Sequence, residues 1–279
     1  MQKKWTEAKV AKLIAEGYGS GSGASYKPWI EVRDISSTGR KHFVPQTRFG
    51  REVHLLSDIE YSMFLLLEWS DDVVDVNEQC PLDRDLTIDV ARKLGIRHPY
   101  YPGTNVPAVM SVDFMVSLVR NGQTAFEAFY TKPDSATEDE RQLLKLEIAR
   151  TTLELMEVPH HVVVESSLPH QKVSNLDWLQ KARVKPGEVE PAPGYFDEMA
   201  SRFRRHGAAA SNHKTLSQVC SEFDRMHSAE PGTALRLARI LVQRKEVLFD
   251  LEVLHPAEAK MSAFEFRGKS ELRVAAGGN

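Results

Sequence analysis

The most unusual carboxylate in the sequence is Asp113, which lies in the middle of the apolar stretch VMSVDFMVSL (109–118). Such a stretch is typical of a β-strand, where aspartate is disfavoured and an unpartnered buried carboxylate is costly. Beyond the hairpin signal Asn121-Gly122 come Tyr130 and Lys132, which share one face of the next predicted strand because they are two residues apart. Asp113 and Lys132 can therefore converge on one point.

A carboxylate beside an ammonium group has two interpretations here. In the first, carboxylate and main-chain carbonyl oxygens bind a divalent cation, and the lysine polarises an attacking water or stabilises charge that develops on a phosphorus centre. In the second, the two side chains form a buried ion pair that only orders the sheet. The spacing alone leaves both interpretations open.

Glu60 is open to two interpretations as well. It closes the tetrapeptide Ser57-Asp58-Ile59-Glu60, a capping box that predicts a helix running to about Glu68. In that role its carboxylate reaches back to the backbone N–H of Ser57. Alternatively, it is a metal ligand that projects from a helix packed beside the sheet.

These residues belong to a predicted α-β-β-β-α-β series. Thr137 and Glu140 form a second capping box, which opens the later helix, and a small helical insertion separates the first two strands. The predicted elements are the helix 57–68, the strand 72–79, the inserted helix 87–94, the strands 109–118 and 124–132, a helix to about 156, and the strand 160–165. Upstream, Thr6 caps a first helix, Gly17 to Gly23 (GYGSGSG) is interpreted as a mobile linker, and 28–49 as a short hairpin or extended arm.

The chain changes character after residue 170. KPGEVEPAPG (185–194) has the composition of a linker, and helical patterns follow at 195–206, 214–228 and 233–244, then a strand pattern at 247–253. Three helices and a β-wing predict a winged helix-turn-helix domain. Its basic side chains are interpreted either as phosphate contacts or as a solvated face; they are Arg202, Arg204, Arg205, Arg225, Arg236, Arg239, Arg244 and Lys245.

Composition excludes several classes of protein. Two cysteines, Cys80 and Cys220, cannot build a disulfide framework or a cysteine-based zinc site, and no apolar stretch is long enough to cross a membrane. We therefore expect a cytoplasmic protein that makes no membrane contact. The net charge of −3 hides an acidic middle, since residues 51–170 carry 10 basic and 21 acidic side chains. An acidic middle between basic ends suits a metal-dependent site flanked by anion-binding surfaces, although a chance distribution over solvated faces gives the same pattern.

Three segments carry a resemblance to a known family. They are GREVHLLSDIEYSMFLLLEWSDDVVDVNEQCPL (50–82), MSVDF (110–114) and Tyr-Thr-Lys-Pro (130–133) before a long helix. They resemble TnsA, the endonuclease subunit of heteromeric transposases of the TnsA/TnsB/TnsC type, and the resemblance extends to GYGSGSG…YKPWI and to the C-terminal helices. It implies a restriction-endonuclease-like PD-(D/E)xK core at 1–170, whose element order is the one predicted above, and a winged-helix domain at 171–279.

The resemblance also implies the site. The family's catalytic Glu, Asp and Lys correspond to Glu60, Asp113 and Lys132, and Mg²⁺ or Mn²⁺ would be bound by Glu60, Asp113 and the carbonyl of Thr131. Tyr130 departs from the wider superfamily, in which the position two before the lysine is usually Glu, Asp or Gln, and a neutral phenol is a poor metal ligand. Glu127 is no simple substitute, because its odd number places it on the opposite face unless a bulge intervenes.

By this resemblance the chain is a Mg²⁺-dependent DNA endonuclease that cuts the 5′ ends of a transposon. The implied partners are transposon-end DNA, the DDE-type transposase TnsB and the AAA+ regulator TnsC, and the implied location is the bacterial cytoplasm at the nucleoid. The alternatives are a PD-(D/E)xK nuclease that acts alone, and an assembly subunit that keeps the fold but is catalytically weakened by Tyr130.

Overall fold

The computed structural model describes residues 5–34, 40–45, 47–135, 139–185 and 187–267. It divides the chain into two compact units, 1–168 and 169–279. The first unit has ten α-helices and β-strands among its described residues: α1 (Glu7–Ala15), β1 (His42–Val44), β2 (Val53–Leu55), α2 (Asp58–Trp69), β3 (Val73–Pro81), α3 (Arg84–Leu94), β4 (Ser111–Arg120), β5 (Gln123–Lys132), α4 (Glu140–Leu155) and β6 (His160–Val164).

The centre of the first unit is a four-stranded mixed sheet in the order β3-β4-β5-β6. β3, β4 and β5 form an antiparallel meander, and β6 pairs in parallel with β5 after the crossover through α4. The β4–β5 turn is tight because Asn121 and Gly122 both have positive φ angles, 53° and 74°, as a type I′ hairpin requires. This mixed sheet with its helices confirms the α/β class, and the Asn-Gly hairpin is confirmed with it.

The helix starts follow local capping chemistry. Ser57 Oγ accepts a hydrogen bond from the N–H of Glu60 at 3.1 Å, as its capping box predicts. α3 begins three residues before the predicted Thr87, because the Asp83 side chain accepts from the N–H of Leu86 at 2.8 Å. Thr137 lies outside the described residues.

α4 begins at Glu140, where the side chain of Asp139 caps the N–H groups of Arg141 and Gln142.

Two apolar clusters hold the sheet between its helices. The larger one joins α2, β2 and one sheet face through buried side chains such as Phe64, Val76 and Phe114. The smaller one packs α4 on the sheet through Ala128, Tyr130 and Leu153. The site residues on β4 and β5 are therefore carried by strands that are covered on both faces.

The glycine-rich segment is not a mobile linker, so that interpretation was wrong. The N–H of Gly23 donates to Asp75 Oδ2 at 2.7 Å, and a Cβ on Gly19 would lie only 2.2 Å from the ring of Pro81. Gly21 has a φ of 97°, and a Cβ there would meet the backbone of Ser25 at 2.7 Å. These glycines let the chain approach β3 and its own next turn closely. Downstream, β1 and β2 form a short antiparallel pair, so the arm is a hairpin only at 42–55.

The second unit contains α5 (His170–Gln180), α6 (Tyr195–Ala208), α7 (Leu216–Met226), α8 (Thr233–Gln243), β7 (Val247–Leu248) and β8 (Glu265–Phe266). α5 is a helix that the sequence analysis did not predict. Consequently the segment 185–194 lies within this unit rather than between domains.

The strand predicted at 247–253 is wrong beyond Leu248, because Asp250 turns the chain: its Oδ1 accepts from the N–H of Glu252 and its carbonyl from the N–H of Val253. β7 pairs instead with β8. Among the described residues, no helix is long and apolar enough to cross a membrane.

Candidate active site

Asp113 and Lys132 meet where β4 and β5 begin to separate. Asp113 Oδ2 accepts hydrogen bonds from the Thr131 N–H at 2.7 Å and from the Thr131 hydroxyl at 3.0 Å. Lys132 Nζ lies 3.8 Å from the same oxygen. The predicted convergence is therefore observed, and Asp113 is oriented by two hydrogen bonds from Thr131 and an ion pair with Lys132.

Glu60 approaches this pair from the first turn of α2. Its carboxylate accepts from the N–H of Leu56 at 2.9 Å, one residue earlier than the capping box predicts, and from the Ser57 hydroxyl at 3.3 Å. The residue is only 7% exposed. Burial, and after it the charge of Asp113, raises the pKa of Glu60 to about 7, although the bonds to Leu56 and Ser57 oppose the shift.

Gln79 was missed by the sequence analysis. Its side-chain amide donates to Glu60 Oε2 at 3.3 Å and accepts from the Ser111 hydroxyl at 3.3 Å, so it connects β3 with both α2 and β4. It is 4% exposed and has a φ of 47°, a strained value for a side chain with a Cβ. No local sequence pattern marks it, because its neighbours come from three different elements.

Tyr130 is buried beneath the pair. It is 5% exposed, and its hydroxyl has no hydrogen-bond partner among the described residues. Burial, with the charge of Asp113 second, raises the pKa of this phenol far above its usual range. Tyr130 therefore stays neutral, and a neutral phenol is a poor metal ligand.

Glu127 lies elsewhere, as its position on the strand predicts. Its carboxylate pairs with Arg120 at 2.6 Å and with His161 at 3.1 Å. It contributes no oxygen to the Asp113 cluster.

The oxygen donors of the cluster suit a hard divalent cation. Among the described residues, no group of three or more His, Cys, Asp or Glu side chains could hold a metal. The cluster offers two carboxylates, those of Glu60 and Asp113. The negative charge of Asp113 helps to raise the pKa of Glu60 because the two carboxylates repel each other. A cation bound between them would relieve this repulsion. With a carbonyl and water, this donor set is one that Mg²⁺ accepts.

An open cavity of about 220 Å³ adjoins the cluster. Asp113, Tyr130 and Lys132 line it from the sheet, and Gln142 and Lys145 line it from α4. Glu60 is not part of the lining. The cavity therefore extends from the Asp113–Lys132 pair towards the first turns of α4.

The predicted basic surface of the second unit is largely engaged in internal contacts. Arg236 bonds both oxygens of Glu188, and Arg239 stacks on Trp178 with its guanidinium 4.8 Å from the ring centre. Arg202 pairs with Glu198, Arg204 with Glu246 and Arg244 with Asp197. Lys245 is half-buried and has a partner, whereas Arg205 is exposed.

Two family models match the chain, and both describe endonuclease domains. The TnsA-like endonuclease N-terminal domain matches residues 70–165, which include Asp113 and Lys132 but not Glu60. The TnsA endonuclease C-terminal domain matches residues 168–251. The protein is therefore a nuclease.

The particular family follows from a relative. The chain is 32% identical over 247 residues to the Transposon Tn7 transposition protein TnsA of Escherichia coli, and the alignment covers 88% of this chain and 87% of that protein. The chain thus belongs to the TnsA family of transposition endonucleases.

Proposed function

We propose that this endonuclease cuts the 5′ ends of a transposon, as the nuclease subunit of a Tn7-like transposase. The observation that carries the proposal is the cluster of Glu60, Asp113 and Lys132, which brings two carboxylates and an ammonium group together beside an open cavity. Membership of the TnsA family supports the reaction class, hydrolysis of a phosphodiester bond.

The residues of the site have three different roles: metal binding, orientation of the carboxylates and charge balance. Glu60, Asp113 and the carbonyl of Thr131 would hold Mg²⁺ or Mn²⁺, which when bound polarises the scissile phosphate and acidifies a water. The Thr131 N–H and hydroxyl orient Asp113, and the Leu56 N–H orients Glu60. Lys132 balances negative charge at the phosphate or holds the attacking water.

The finer architecture is part of the same proposal. The order α2-β3-β4-β5-α4-β6, with α3 inserted, supports a restriction-endonuclease-like PD-(D/E)xK core over 1–170. The helices and the short β7–β8 pair support a winged-helix domain over 171–279 that contacts DNA or a partner. Exposed Arg202 and Arg205 are better candidates for phosphate contact than Arg236 and Arg239, whose side chains hold the unit together.

The partners follow from the type of transposase. The DDE-type transposase TnsB would cut and join the 3′ ends, and the AAA+ regulator TnsC would license both reactions. Transposon-end DNA is the substrate, and the bacterial nucleoid in the cytoplasm is the place of action.

The test is strand-specific mapping of cuts on labelled transposon-end DNA, with the purified chain alone and together with TnsB. We expect 5′-strand cuts at the ends, in Mg²⁺ or Mn²⁺ and only with TnsB. Equal cutting without the partner would replace this proposal by a nuclease that acts alone.

Tyr130 favours a second candidate, an assembly subunit with weakened activity. The observation is its neutral, buried phenol at the position where the wider superfamily usually has Glu, Asp or Gln. No cutting at any metal concentration, with normal assembly alongside TnsB, would support this candidate.

A further inference from the structure

The cavity beside Asp113 contains more positive charge than the proposed catalytic residues account for. Lys132 enters it from β5, and Lys145 enters it from α4, one helical turn beyond Gln142. Lys132 has Asp113 as its partner. For Lys145 the structure gives no hydrogen bond or ion pair within the described part of the chain.

This arrangement of charges is unfavourable without a ligand. Burial lowers the pKa of Lys145, and the positive charges of Arg141 and Lys132 lower it further, while Asp139 opposes them. Two like charges facing one cavity are stabilised by an anion between them. If Asp113 binds metal, its negative charge is no longer available to either lysine.

The rest of the lining indicates what kind of anion the cavity accepts. The Gln142 amide adds a hydrogen-bonding group near the lysines. Pro99, Ala108 and Leu146 provide an apolar wall. This lining would accept an anion that is joined to a ring with an apolar face. A DNA backbone fits this description, because its phosphates are joined to deoxyribose rings.

We propose that Lys145 and Gln142 form a binding site for a DNA backbone phosphate next to the phosphate that is cut, with the sugar against the apolar wall. This inference rests on the proposed nuclease function, since it takes the Asp113–Lys132 end of the cavity as the place of cleavage. Lys145 and Gln142 position the strand and take no part in bond breaking.

The direct test places neutral methylphosphonates one at a time along the transposon-end strand and measures DNA affinity of the full chain without metal. In the wild type, one position beside the cut should weaken binding roughly tenfold, the size of one charged contact. In Lys145→Gln, which removes the charge but keeps most of the side chain, that position should change affinity less than about twofold. Equal sensitivity of Lys145→Gln and the wild type at every position would overturn the proposal.

Salt dependence gives a second readout. Loss of one phosphate contact should reduce the slope of log affinity against log salt by about 0.9. Lys145→Arg should restore the slope, and Arg141→Gln is the matched control, because it removes a positive charge from the exposed first turn of the same helix outside the cavity lining. A slope change in Arg141→Gln as large as in Lys145→Gln would reduce the effect to net charge and overturn the proposal.

Two further measurements complete the test. Binding of inorganic phosphate distinguishes a free phosphate from a DNA phosphate, and cleavage assays distinguish failure of this proposal from failure of the nuclease proposal. Stabilisation of the wild type but not of Lys145→Gln by inorganic phosphate, with no difference on DNA, would make the site one for free phosphate and overturn the DNA contact. A wild type that shows the methylphosphonate effect but never cuts would keep this binding site and refute the nuclease proposal. A wild type that cuts, with KM and kcat both unchanged in Lys145→Gln, would refute the binding site alone.

Discussion

At Glu60 the helix cap and the candidate site use different atoms. Its backbone N–H completes the cap of α2 on Ser57, whereas its carboxylate is held by the N–H of Leu56 and lies near Asp113. The cap itself fixes the first turn of the helix and therefore the place from which the carboxylate projects. A capping motif at a site is thus compatible with chemistry at the same residue.

The raised pKa of Glu60 predicts a pH dependence of stability. Because the folded-state pKa is about 7 and the ordinary value is 4.5, the folded protein binds the proton more tightly, so stability is fully present below about pH 4.5 and is lost as pH rises through 7. Glu60→Gln should remove this loss, which is on the order of 1–3 kcal/mol. Urea unfolding in EDTA at pH 4.5 and 7.5 measures it. Equal pH dependence in wild type and variant would contradict the shift.

Asp113 should be indispensable for cleavage but not for folding. Asp113→Asn keeps an oxygen acceptor for the Thr131 donors and removes the charge that would bind metal. We expect 5′-strand cleavage to fall at least about a hundredfold, while the unfolding midpoint changes little. Glu127→Gln is the matched control, a β5 carboxylate paired with Arg120 outside the cluster. Full cleavage by Asp113→Asn would leave only the ion-pair interpretation.

Substitutions of Tyr130 should change the metal requirement of cleavage and the stability of the fold separately. Tyr130→Gln supplies an oxygen ligand, so cleavage should need a lower Mg²⁺ concentration than in the wild type. Tyr130→Phe should leave cleavage unchanged and stabilise the fold by about 1 kcal/mol, since the hydroxyl is buried without a partner. Metal titrations of cleavage and urea unfolding separate the effects. A loss of cleavage in Tyr130→Phe would show that the hydroxyl contacts the substrate.

Among the helices and strands, the features that depend on neighbouring residues were predicted correctly from the sequence. The start of α2, the Asn-Gly hairpin and the shared face of Tyr130 and Lys132 each depend on residues a few positions apart, and all are observed. Gln79 could not be found, because its role depends on contacts with α2 and β4. α5 was missed since its pattern is weakly amphipathic, and its buried Asn175 is satisfied by the distant carbonyls of Leu251 and Val253.

The glycine-rich segment shows the same limit and yields a prediction. Composition indicates flexibility, but Gly21 has a φ of 97° and lies against the Ser25 backbone. Gly21→Ala should therefore destabilise the protein by about 2 kcal/mol or more, because it adds both strain and a clash. Gly103→Ala is the control, with a φ of 68° but open space around it, and should lose only the conformational part. Urea unfolding that gives equal losses for both variants would contradict the close packing.

At the scale of the whole molecule, the division falls at 168/169 and not at the proline- and glycine-rich segment near 190. A chain that ends at Leu168 should fold cooperatively and bind Mg²⁺ like the full protein, because Glu60, Asp113 and Lys132 and their hydrogen-bond partners all lie before the cut. Urea unfolding and calorimetric metal titration test this expectation. A fragment that fails to fold, or a chain ending at 185 that folds better, would place the boundary later.

The long spacing of the site along the chain has a consequence during synthesis. Glu60 lies on α2, Gln79 on β3, Asp113 on β4 and Lys132 on β5, so the complete cluster requires α2 and all three strands. During synthesis, the chain must therefore have emerged from the ribosome as far as Lys132, and the strands must have paired, before the cluster is complete. Incomplete translation products that stop before Lys132 carry Glu60 alone or Glu60 with Asp113, so they lack the lysine and with it the complete cluster.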